Sequence, residues 1–516
     1  MIGLALLVAA QAAAAPPEPA SYDALVARAV ADARAGDRAA AEDLLTRAHA
    51  LDPARPEALV ELAGLRFLDT RYADAVALLR PALRRGADAH ARDLLAASLH
   101  LAGRPEEAVD EWNALRLPVL RNVRIDGMHD TRARLVVPQL TVVEGALLTR
   151  DQLRETRLRL LETGAFDRVT VRTVPLGAGE ADVDVALAER RGLGSPPELA
   201  ARTLSKALQR TAFLRYDNVD GTGIGAHVSY RWQETQPRVE VGLSWPRPLG
   251  LDARLLAQGE WERADYALEG RRIRLRARGA ELALRRVLDA RTVGELRWQG
   301  RRRTFADAEG IPAARPGLVS GVSLRAERRL VDAWRHRLDA TATAFGAASV
   351  TGSDVDFAVG RVTLRDAVFL SAPERTTLER SVLAVQLVWG QGSRGTPLDA
   401  LFVPGAASEM DLPLRAHRSR AAGVLGRTPI GRSLWLLNVE WRRRIHRRGP
   451  LQAAVVAFYD GARVGGAVVD PGQKFLHAAG AGIRFGVLGL VVRADYAVSL
   501  ARPHSRALSA GLGQAF

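Results

Sequence analysis

Few residue patterns in this chain could support catalysis or the binding of a small ligand. Gly221, Gly223 and Gly225 have the spacing of part of a dinucleotide-binding loop, but turn-forming residues precede them, so a turn between two strands is the better interpretation. Asp354 and Asp356 have the first spacing of a calcium loop, without its glycine or its distal glutamate. The sequence contains no zinc-protease, phosphate-loop or serine-nucleophile motif. We therefore expect no enzymatic activity, no metal site and no cofactor.

The first residues are typical of a secretory signal peptide. An apolar run over residues 4–10 leads to small residues that signal peptidase accepts, and cleavage after Ala12 or after Ala15 remains open. We predict a signal peptide over residues 1–15 and an exported protein. The chain has no cysteine, so we expect neither disulfides nor a lipid-anchored amino terminus.

Composition narrows the class of protein further. The formal net charge of +15 comes almost wholly from arginine, because Lys206 and Lys474 are the only lysines. The arginines are spread along the chain without an aromatic-interleaved basic patch, so we do not expect nucleic-acid binding. Beyond the amino-terminal segment, no run approaches the roughly eighteen consecutive apolar residues that a membrane-spanning helix requires.

Residues 20–116 carry a helical pattern that repeats. Ala41 and Leu45 recur thirty-four residues later as Ala75 and Leu79, and a further copy follows thirty-three residues on. This period resembles tetratricopeptide repeats, in which small residues let paired helices approach closely. We predict roughly two and a half such repeats, with a generic helical bundle as the alternative. Either architecture offers a concave surface that binds protein.

Residues 117–191 follow with the pattern of a compact α/β unit in the order β-α-α-β-β. Gly164 closes the second predicted helix, over residues 149–163, because glycine readily adopts the left-handed conformation, and Phe166 re-enters the core as the next strand begins. Together with Gly127 after the opening strand, this turn resembles the POTRA domain, a periplasmic module of outer-membrane assembly and translocation proteins. An unrelated α/β domain is the alternative.

From residue 192 to residue 516, strand signals dominate. Side chains alternate between two faces, as where Trp435 and Trp441 oppose Asn438 and Glu440. This alternation predicts lipid on one side and a polar lumen on the other. The remaining length suits a 16-stranded antiparallel transmembrane β-barrel, at roughly twenty residues for each strand and its connection.

The predicted strand number depends on Gly279, where the alternation of apolar and polar residues slips. A bulge at this position leaves fifteen segments, an odd number that a bacterial single-chain barrel does not normally have. A turn gives sixteen, which is our prediction. A soluble β-sandwich is the alternative fold. A sandwich requires an apolar core between its two sheets, which is difficult to build from strands whose charged and apolar faces alternate over such a length.

One long loop of the predicted barrel contains an arginine, Arg415, whose surrounding sequence resembles that of a known family. The segment 397–405, followed by Arg415, is similar to the long loop of the superfamily that includes BamA, TamA and the two-partner-secretion transporters. In that family an arginine on a loop folded back into the barrel pairs with carboxylates on nearby strands. The resemblance implies that Arg415 pairs with Glu440 and Asp460 and acts as a latch, whereas an exposed loop arginine is the alternative.

The loop departs from the family pattern directly after its arginine. Ala416 stands where the family has glycine, and His417 stands where it has an aromatic residue. We therefore expect the loop conformation to differ in detail while the pairing of charges is kept, because a buried arginine still requires carboxylate partners.

The chain ends in an alternating segment with a terminal aromatic residue. We predict that Leu512, Gln514 and Phe516 lie on the lipid side of the closing strand and form a signature that outer-membrane assembly machinery reads. The closing strand is expected to meet the first strand near residues 213–217.

The superfamily resemblance covers about residues 118–516, with one POTRA-like domain instead of the two or more of the best-known members. It implies a bacterial outer-membrane protein with periplasmic amino-terminal domains that inserts or translocates polypeptide clients. The expected partners are outer-membrane lipid, the assembly machinery, and a polypeptide client and periplasmic proteins bound by residues 20–191. A passive channel or structural barrel, and a soluble periplasmic scaffold, are the alternatives.

Overall fold

The computed structural model describes residues 21–194, 196–208, 210–268, 270–374, 376–405, 412–469, 475–487, 490–500 and 505–516. The predicted signal peptide, residues 1–15, lies outside the described residues. The chain forms two compact units, of which the first comprises the residues up to Asn122 together with Val143–Arg150 and Arg172–Val183, and the second comprises the rest. No helix in the described residues is both long enough and apolar enough to cross a membrane.

The first unit begins with six helices in its described part. They are Tyr22–Arg34 (α1), Arg38–Leu51 (α2), Glu57–Leu68 (α3), Tyr72–Arg84 (α4), Ala89–Leu101 (α5) and Pro105–Asn113 (α6). Three of them start at capping side chains, because the side-chain oxygens of Ser21, Asp37 and Asp88 accept hydrogen bonds from first-turn amides. The repeated residues Ala41 and Ala75 are both fully buried, so the sequence period coincides with close helix packing.

A strand, two helices and two strands follow the helical region. They are Val119–Asp126 (β1), Ala133–Val136 (α7), Arg150–Glu162 (α8), Phe166–Gly177 (β2) and Glu180–Glu189 (β3). The order in the sheet is β1-β3-β2, so β1 and β2 are its edge strands. Gly164 has a φ of 74° after α8, and Phe166 is buried as β2 begins.

Helix α9 (Pro196–Leu208) leads into a closed sheet that contains seventeen strands in the described residues. They are Thr211–Val219 (β4), Ile224–Arg231 (β5), Arg238–Pro246 (β6), Arg254–Leu268 (β7), Arg271–Asp289 (β8), Thr292–Ala306 (β9), Gly317–Ala333 (β10), His336–Ala347 (β11), Phe357–Phe369 (β12), Ser381–Gly392 (β13), Arg420–Ala421 (β14), Val424–Leu425 (β15), Ile430–Arg448 (β16), Leu451–Val469 (β17), Leu476–Val487 (β18), Leu490–Ser499 (β19) and Arg506–Leu512 (β20). Because β13 pairs directly with β16, the two-residue strands β14 and β15 belong to the connecting loop, and the other fifteen described strands build the wall.

The prediction of sixteen wall strands is wrong for the described chain. Strand β8 passes through Gly279 without interruption, and Gly279 lies opposite Glu260 of β7 and Arg301 of β9 in registers that do not shift there. The glycine marks neither a bulge nor a turn. An isolated slip in residue pattern does not end a strand whose backbone groups are all paired on both sides.

An odd number of wall strands determines how the barrel closes. The successive wall strands from β4 to β20 pair antiparallel, so β4 and β20, which are neighbours in the closed order, run in the same direction. Helix α9 contacts both of these strands. We call the junction of β4 and β20 the seam.

Between its two ends, the wall exposes large apolar side chains to the outside and directs charges inwards. On β16, Trp435 is 54% exposed and Trp441 is 39% exposed, whereas Glu440 between them is fully buried. On β8, Leu282 and Leu284 are exposed and Glu281 faces the lumen beside Arg297. The predicted separation of an apolar outer face from a polar lumen is confirmed.

One end of the wall, which we call the near end, lies beside α8 and the residues before α7. The Arg132 Nε donates to the Asp220 carbonyl in the turn between β4 and β5 at 3.0 Å. The Arg159 Nη1 donates to Asp252 in the turn between β6 and β7 at 3.1 Å. Because successive strands alternate in direction, the loop joining β13 to β16, residues 393–429, lies at the opposite, far end.

Candidate functional site: a charge network in the barrel lumen

Strands β16 and β17 direct polar side chains into the lumen at the same level. Asn438 lies opposite Asp460 in the strand register, and Glu440 follows two residues further along β16. The carboxylates of Glu440 and Asp460 are fully buried. Alternation along a strand places residues 438 and 440 on one face, and this periodicity is the signal that indicated them from sequence.

The described parts of the loop, residues 393–405 and 412–429, fold back into the lumen, and apolar contacts hold them there. Phe402 and Leu414 pack among lumen-facing apolar residues of β13 and β16. The Phe402 ring lies so close to Gly390 that a Cβ there would come within 2.4 Å of it. Phe402 and Gly431 also exchange two backbone hydrogen bonds, of 2.9 and 3.2 Å. These contacts position the next part of the loop, which carries Arg415.

Arg415 binds both carboxylates of the predicted latch. Its backbone amide and Nε donate to Oδ2 of Asp460 at 3.0 and 2.8 Å, and its Nη2 donates to Oδ1 at 2.7 Å. Its Nη1 donates to Oε1 of Glu440. The guanidinium carbon also lies 3.4 Å from the centroid of the Phe458 ring, a cation–π arrangement. The structure thus brings the three sequence-predicted residues into direct contact.

Three further charged residues, which the sequence reasoning missed, extend this contact. The Arg442 Nε donates to Oε2 of Glu440 at 2.6 Å. The Arg484 Nη1 donates to Oδ1 of Asp495 at 2.6 Å, and its Nη2 lies 3.5 Å from Glu440. We call the six residues the lumen charge network: Arg415, Arg442, Arg484, Glu440, Asp460 and Asp495.

The formal charges of the network cancel, with three arginines against three carboxylates. Arg484 is fully buried and Arg415 is nearly so. An isolated buried charge costs several kcal/mol, and only close partners with good hydrogen bonds offset that cost. The network therefore favours the single loop position in which all six charges have partners. Alternation along the strands places Arg442 and Asp495 on the polar side, but their contacts with the other charges depend on how the sheet closes.

The two departures from the family loop pattern occupy buried positions beside the network. The Ala416 side chain is buried, and its carbonyl accepts a hydrogen bond from the Ser505 hydroxyl at 2.8 Å. The Nε2 of His417 lies 3.2 Å from the carbonyl oxygen of His477. These contacts fix the loop on its other side, towards β18 and the segment before β20.

The last residues of the chain also reach the lumen, which corrects the sequence prediction. Strand β20 ends at Leu512, and the following glycine has a φ of 79°, which rotates the chain. The Arg484 Nε donates to Oε1 of Gln514 at 3.3 Å, and the Arg442 Nη2 donates to the Phe516 carbonyl at 3.3 Å. The prediction that Gln514 and Phe516 continue the lipid-facing side of the strand is wrong, because alternation holds only while the backbone stays extended.

Glu189, at the end of β3, orders the residues that meet the near end of the wall. Its carboxylate accepts hydrogen bonds from the backbone amides of residues 129–131, at 2.8 to 3.3 Å. Burial raises the pKa of Glu189, but the hydrogen bonds from Thr131 and its neighbours outweigh burial and bring the pKa to about 2. Arg132, which contacts Asp220 of the wall, follows directly. Sequence reasoning did not indicate this residue.

No protein-family model and no curated protein sequence matches this chain. Solved structures do. CdiB from Escherichia coli is 13% identical, covers 77% of this chain and 77% of its own, and has a TM-score of 0.50. CdiB from Acinetobacter baumannii is 14% identical over 77% and 74%, with a TM-score of 0.48. BamA from Haemophilus ducreyi lacking POTRA domains 1–3 is 13% identical over 77% and 85%, with a TM-score of 0.45.

At this level of identity, the likeness to Escherichia coli CdiB bears on the fold alone. It confirms the predicted fold in its coarse form, a large antiparallel barrel preceded by helices. A closed barrel with an apolar outer face is the architecture of outer-membrane proteins. This architecture agrees with the predicted location in the bacterial outer membrane.

Proposed function

We propose that the chain inserts polypeptide clients into the outer membrane or translocates them across it. The observation that carries this proposal is the lumen charge network, which ties the far-end loop 393–429 to four wall strands and to the carboxyl-terminal residues. Desolvating six charges to hold a loop inside the lumen is costly, and we infer that the loop has a role in handling clients. The proposal assigns no catalytic step to the chain.

The network reaches the strands next to the seam. Asp495 lies on β19, and Gln514 is the second residue after β20. Parallel pairing, as at the seam, is slightly less stable per residue than the antiparallel pairing of the rest of the wall. We infer that a shift of the loop weakens the seam through Arg484, which contacts both Asp495 and Gln514, and that the weakened seam accepts client strands.

The amino-terminal domains collect the client in this proposal. Helices α1 to α6 form the tetratricopeptide-like surface of residues 20–116, and the β-α-α-β-β order supports a POTRA-like domain over residues 117–191. The edge strand β2 offers backbone groups to which an extended client segment adds as a further strand, whereas the start of β1 is already bonded to residues 145–148. Before the chain folds, its carboxyl-terminal residues Leu512, Gln514 and Phe516 serve the outer-membrane assembly machinery as a signature.

Removing the helical repeats tests recruitment. Deletion of residues 20–116 is expected to abolish the surface appearance of a specific client while the barrel itself still folds. The measurement compares outer-membrane and secreted protein profiles of cells with the full chain, the deletion and no chain. A heat-dependent shift on gels shows that the deleted protein retains its barrel.

Two other outcomes are informative. Unchanged protein profiles with a folded barrel would favour a passive channel or structural barrel, which needs no client. A mature protein that is soluble without detergent would favour a periplasmic scaffold. Crosslinking from residues 20–191 in the periplasm then identifies the client directly.

A further inference from the structure

The outward face of β7, β8 and β9 carries a dense group of arginines between the apolar belt and the far end. On β8 the even-numbered positions point outwards, and those from 272 to 278 are all arginine. The strand register places Arg302 of β9 directly opposite Arg278, and Arg263 of β7 directly opposite Arg276. We call six residues the outer arginine patch: Arg263, Arg272, Arg274, Arg276, Arg278 and Arg302.

The patch is almost unneutralised on its own face of the sheet. Asp265 binds Arg272 at 2.5 Å and lies 3.6 Å from Arg274. Arg276, Arg278 and Arg302 are exposed, and none of the three makes a hydrogen bond or ion pair with another described residue. Like charges directly opposite each other destabilise a sheet. An anion bound between Arg278 and Arg302 would remove that repulsion.

A row of small residues lies directly below the paired arginines, towards the near end. The register aligns Gly259, Ala280, Gly300 and Ser320 across β7 to β10. Trp298, in the next row, leans over Gly300, where a Cβ would come within 3.0 Å of the ring, and its Nε1 donates to the Ser320 hydroxyl at 3.3 Å. Arg278 and Arg302 line a groove on the outer wall together with Trp298, Gly300, Ser320 and Leu318. The lining also includes Gly279 and Glu260, whose carboxylate accepts a hydrogen bond from Arg238 at 2.8 Å. The groove has the shape and polarity to receive a hydrocarbon chain beneath an anionic group.

The strand direction places the patch towards the outer leaflet. Strand β8 runs from the far end to the near end, where Arg285 binds Glu162 of α8 through two hydrogen bonds of 2.8 and 3.1 Å. Helix α8 belongs to the domains that the proposed function places in the periplasm, so the far end faces the cell exterior.

The spacing of outward arginines on β8 agrees with the thickness of a membrane. The next outward arginine below Arg278 is Arg286, and leucines and alanine lie between them. Eight residues of tilted strand span roughly 20 Å across a membrane. The outer arginine patch therefore lies at the level of the outer-leaflet headgroups.

We propose that the outer arginine patch binds the phosphate groups of an outer-leaflet glycolipid with a phosphorylated sugar headgroup, the chemistry of lipid A. The fork geometry of guanidinium groups matches phosphate oxygens, and Arg278 and Arg302 form the primary pair. An acyl chain of the same lipid lies along the groove at Gly300 and Trp298. The assignment rests on the orientation in the proposed function, but not on any role in handling clients.

Binding of purified lipid A to the full chain in neutral detergent tests the site. The test variant is Arg276→Gln/Arg278→Gln/Arg302→Gln, and a second variant carries lysine at the same three positions. The matched control, Arg286→Gln/Arg328→Gln/Arg443→Gln, removes three outward arginines at the near end of the wall. A heat-dependent gel shift verifies that every variant is folded.

The full chain is expected to bind phosphorylated lipid A at least tenfold more tightly than the same lipid with its phosphates removed. An arginine near a membrane surface contributes roughly fivefold in affinity for anionic lipid, so the triple glutamine variant should lose on the order of 100-fold. The lysine variant should lose less affinity than the glutamine variant, because lysine keeps the charge but lacks the guanidinium fork. The near-end control should bind as the full chain does.

Three results would overturn the proposal. Equal binding of the dephosphorylated lipid would show that phosphate is not recognised. Competition by inorganic phosphate at the same concentration as the lipid would show that the site takes free phosphate. An equal loss of lipid A affinity in the near-end control would show that binding does not depend on the position of the outward arginines. Client transport is expected to be unchanged in the glutamine variant, so failure of this site and failure of the proposed function are distinguished.

Discussion

The lumen charge network and the outer arginine patch use the same residue type in opposite ways. Inside the barrel, each arginine of the network lies against a carboxylate, and the six formal charges cancel. On the outer wall, three of the six arginines have no partner among the described residues, and Asp265 is the one carboxylate that contacts the patch there.

The difference follows from what surrounds each group. The lumen network is buried by the loop and by the wall, so an unpaired charge there would carry a large desolvation cost. The outer arginines remain exposed and keep much of their solvation, so they tolerate the lack of a partner. The ion pairs inside the barrel therefore fix the position of the loop. The unpaired arginines on the outer wall remain available to bind an anionic ligand.

The largest expected effect is the loss of a network partner. Arg415→Ala and Asp460→Asn should each lower the free energy of unfolding by about 3–5 kcal/mol, because each leaves a buried charge uncompensated. Urea unfolding of the purified barrel in detergent measures this. The double variant should cost less than the sum of the two single changes, since both remove the same contact. Glu440→Gln should behave similarly. Additive effects would contradict direct pairing.

The second largest effect is expected for Glu189, whose carboxylate binds backbone amides and whose contribution to stability depends on pH. The pKa of Glu189 is about 2 in the folded chain, below its ordinary value of 4.5. The stabilisation by Glu189 is therefore fully present above about pH 4.5 and is lost as the pH falls towards 2. Solvent screening reduces its size to about 1–2 kcal/mol.

Hydrogen exchange of the amides of residues 129–131 measures this contribution. Glu189→Gln should speed their exchange at pH 6, and the difference from the unaltered chain should shrink at lower pH. Glu180→Gln is the matched control, because this carboxylate lies on the same strand and is exposed beside Arg121. A difference that persists unchanged at pH 2 would contradict the role of the Glu189 charge.

The smallest expected effect on stability belongs to the outer arginine patch. Replacement of Arg276, Arg278 and Arg302 by glutamine should change the free energy of unfolding in detergent by less than about 0.5 kcal/mol for each residue, as for surface positions without partners. The same urea unfolding measures this beside Arg415→Ala. A decrease in the free energy of unfolding as large as that of Arg415→Ala would contradict this difference between the two groups, since it would show that the outer arginines stabilise the fold.

The sequence predicts whether a strand residue points outwards or into the lumen, and the wall strands show that this prediction holds. Trp435 and Trp441 point outwards and Glu440 inwards, as alternation requires. The resemblance to a known loop then indicated Arg415 as the partner of Glu440 and Asp460, and the three side chains are in contact. The alternation of side chains and the similarity of the loop were together sufficient to predict this contact, because neither depends on how the barrel closes.

Arg442 and Arg484 could not be added to the site by the same reasoning. Arg442 lies on β16 beside Glu440, but many lumen arginines have carboxylates at similar spacing. Arg484 lies on β18, forty-four residues from Glu440, and approaches it only because β16, β17 and β18 are neighbours in the curved sheet. The residue pattern contains the face of each side chain and not its distance from another strand.

The sequence by itself determined which residues face lipid and which face the lumen, because side chains alternate strictly along an extended backbone. It also determined where helices give way to strands. The tertiary structure alone decided that fifteen described strands build the wall, that β4 and β20 run in the same direction at the seam, and that Gln514 and Phe516 turn inwards. These features depend on strand pairing and closure between distant segments, and on one left-handed glycine after β20, which a local residue pattern does not encode.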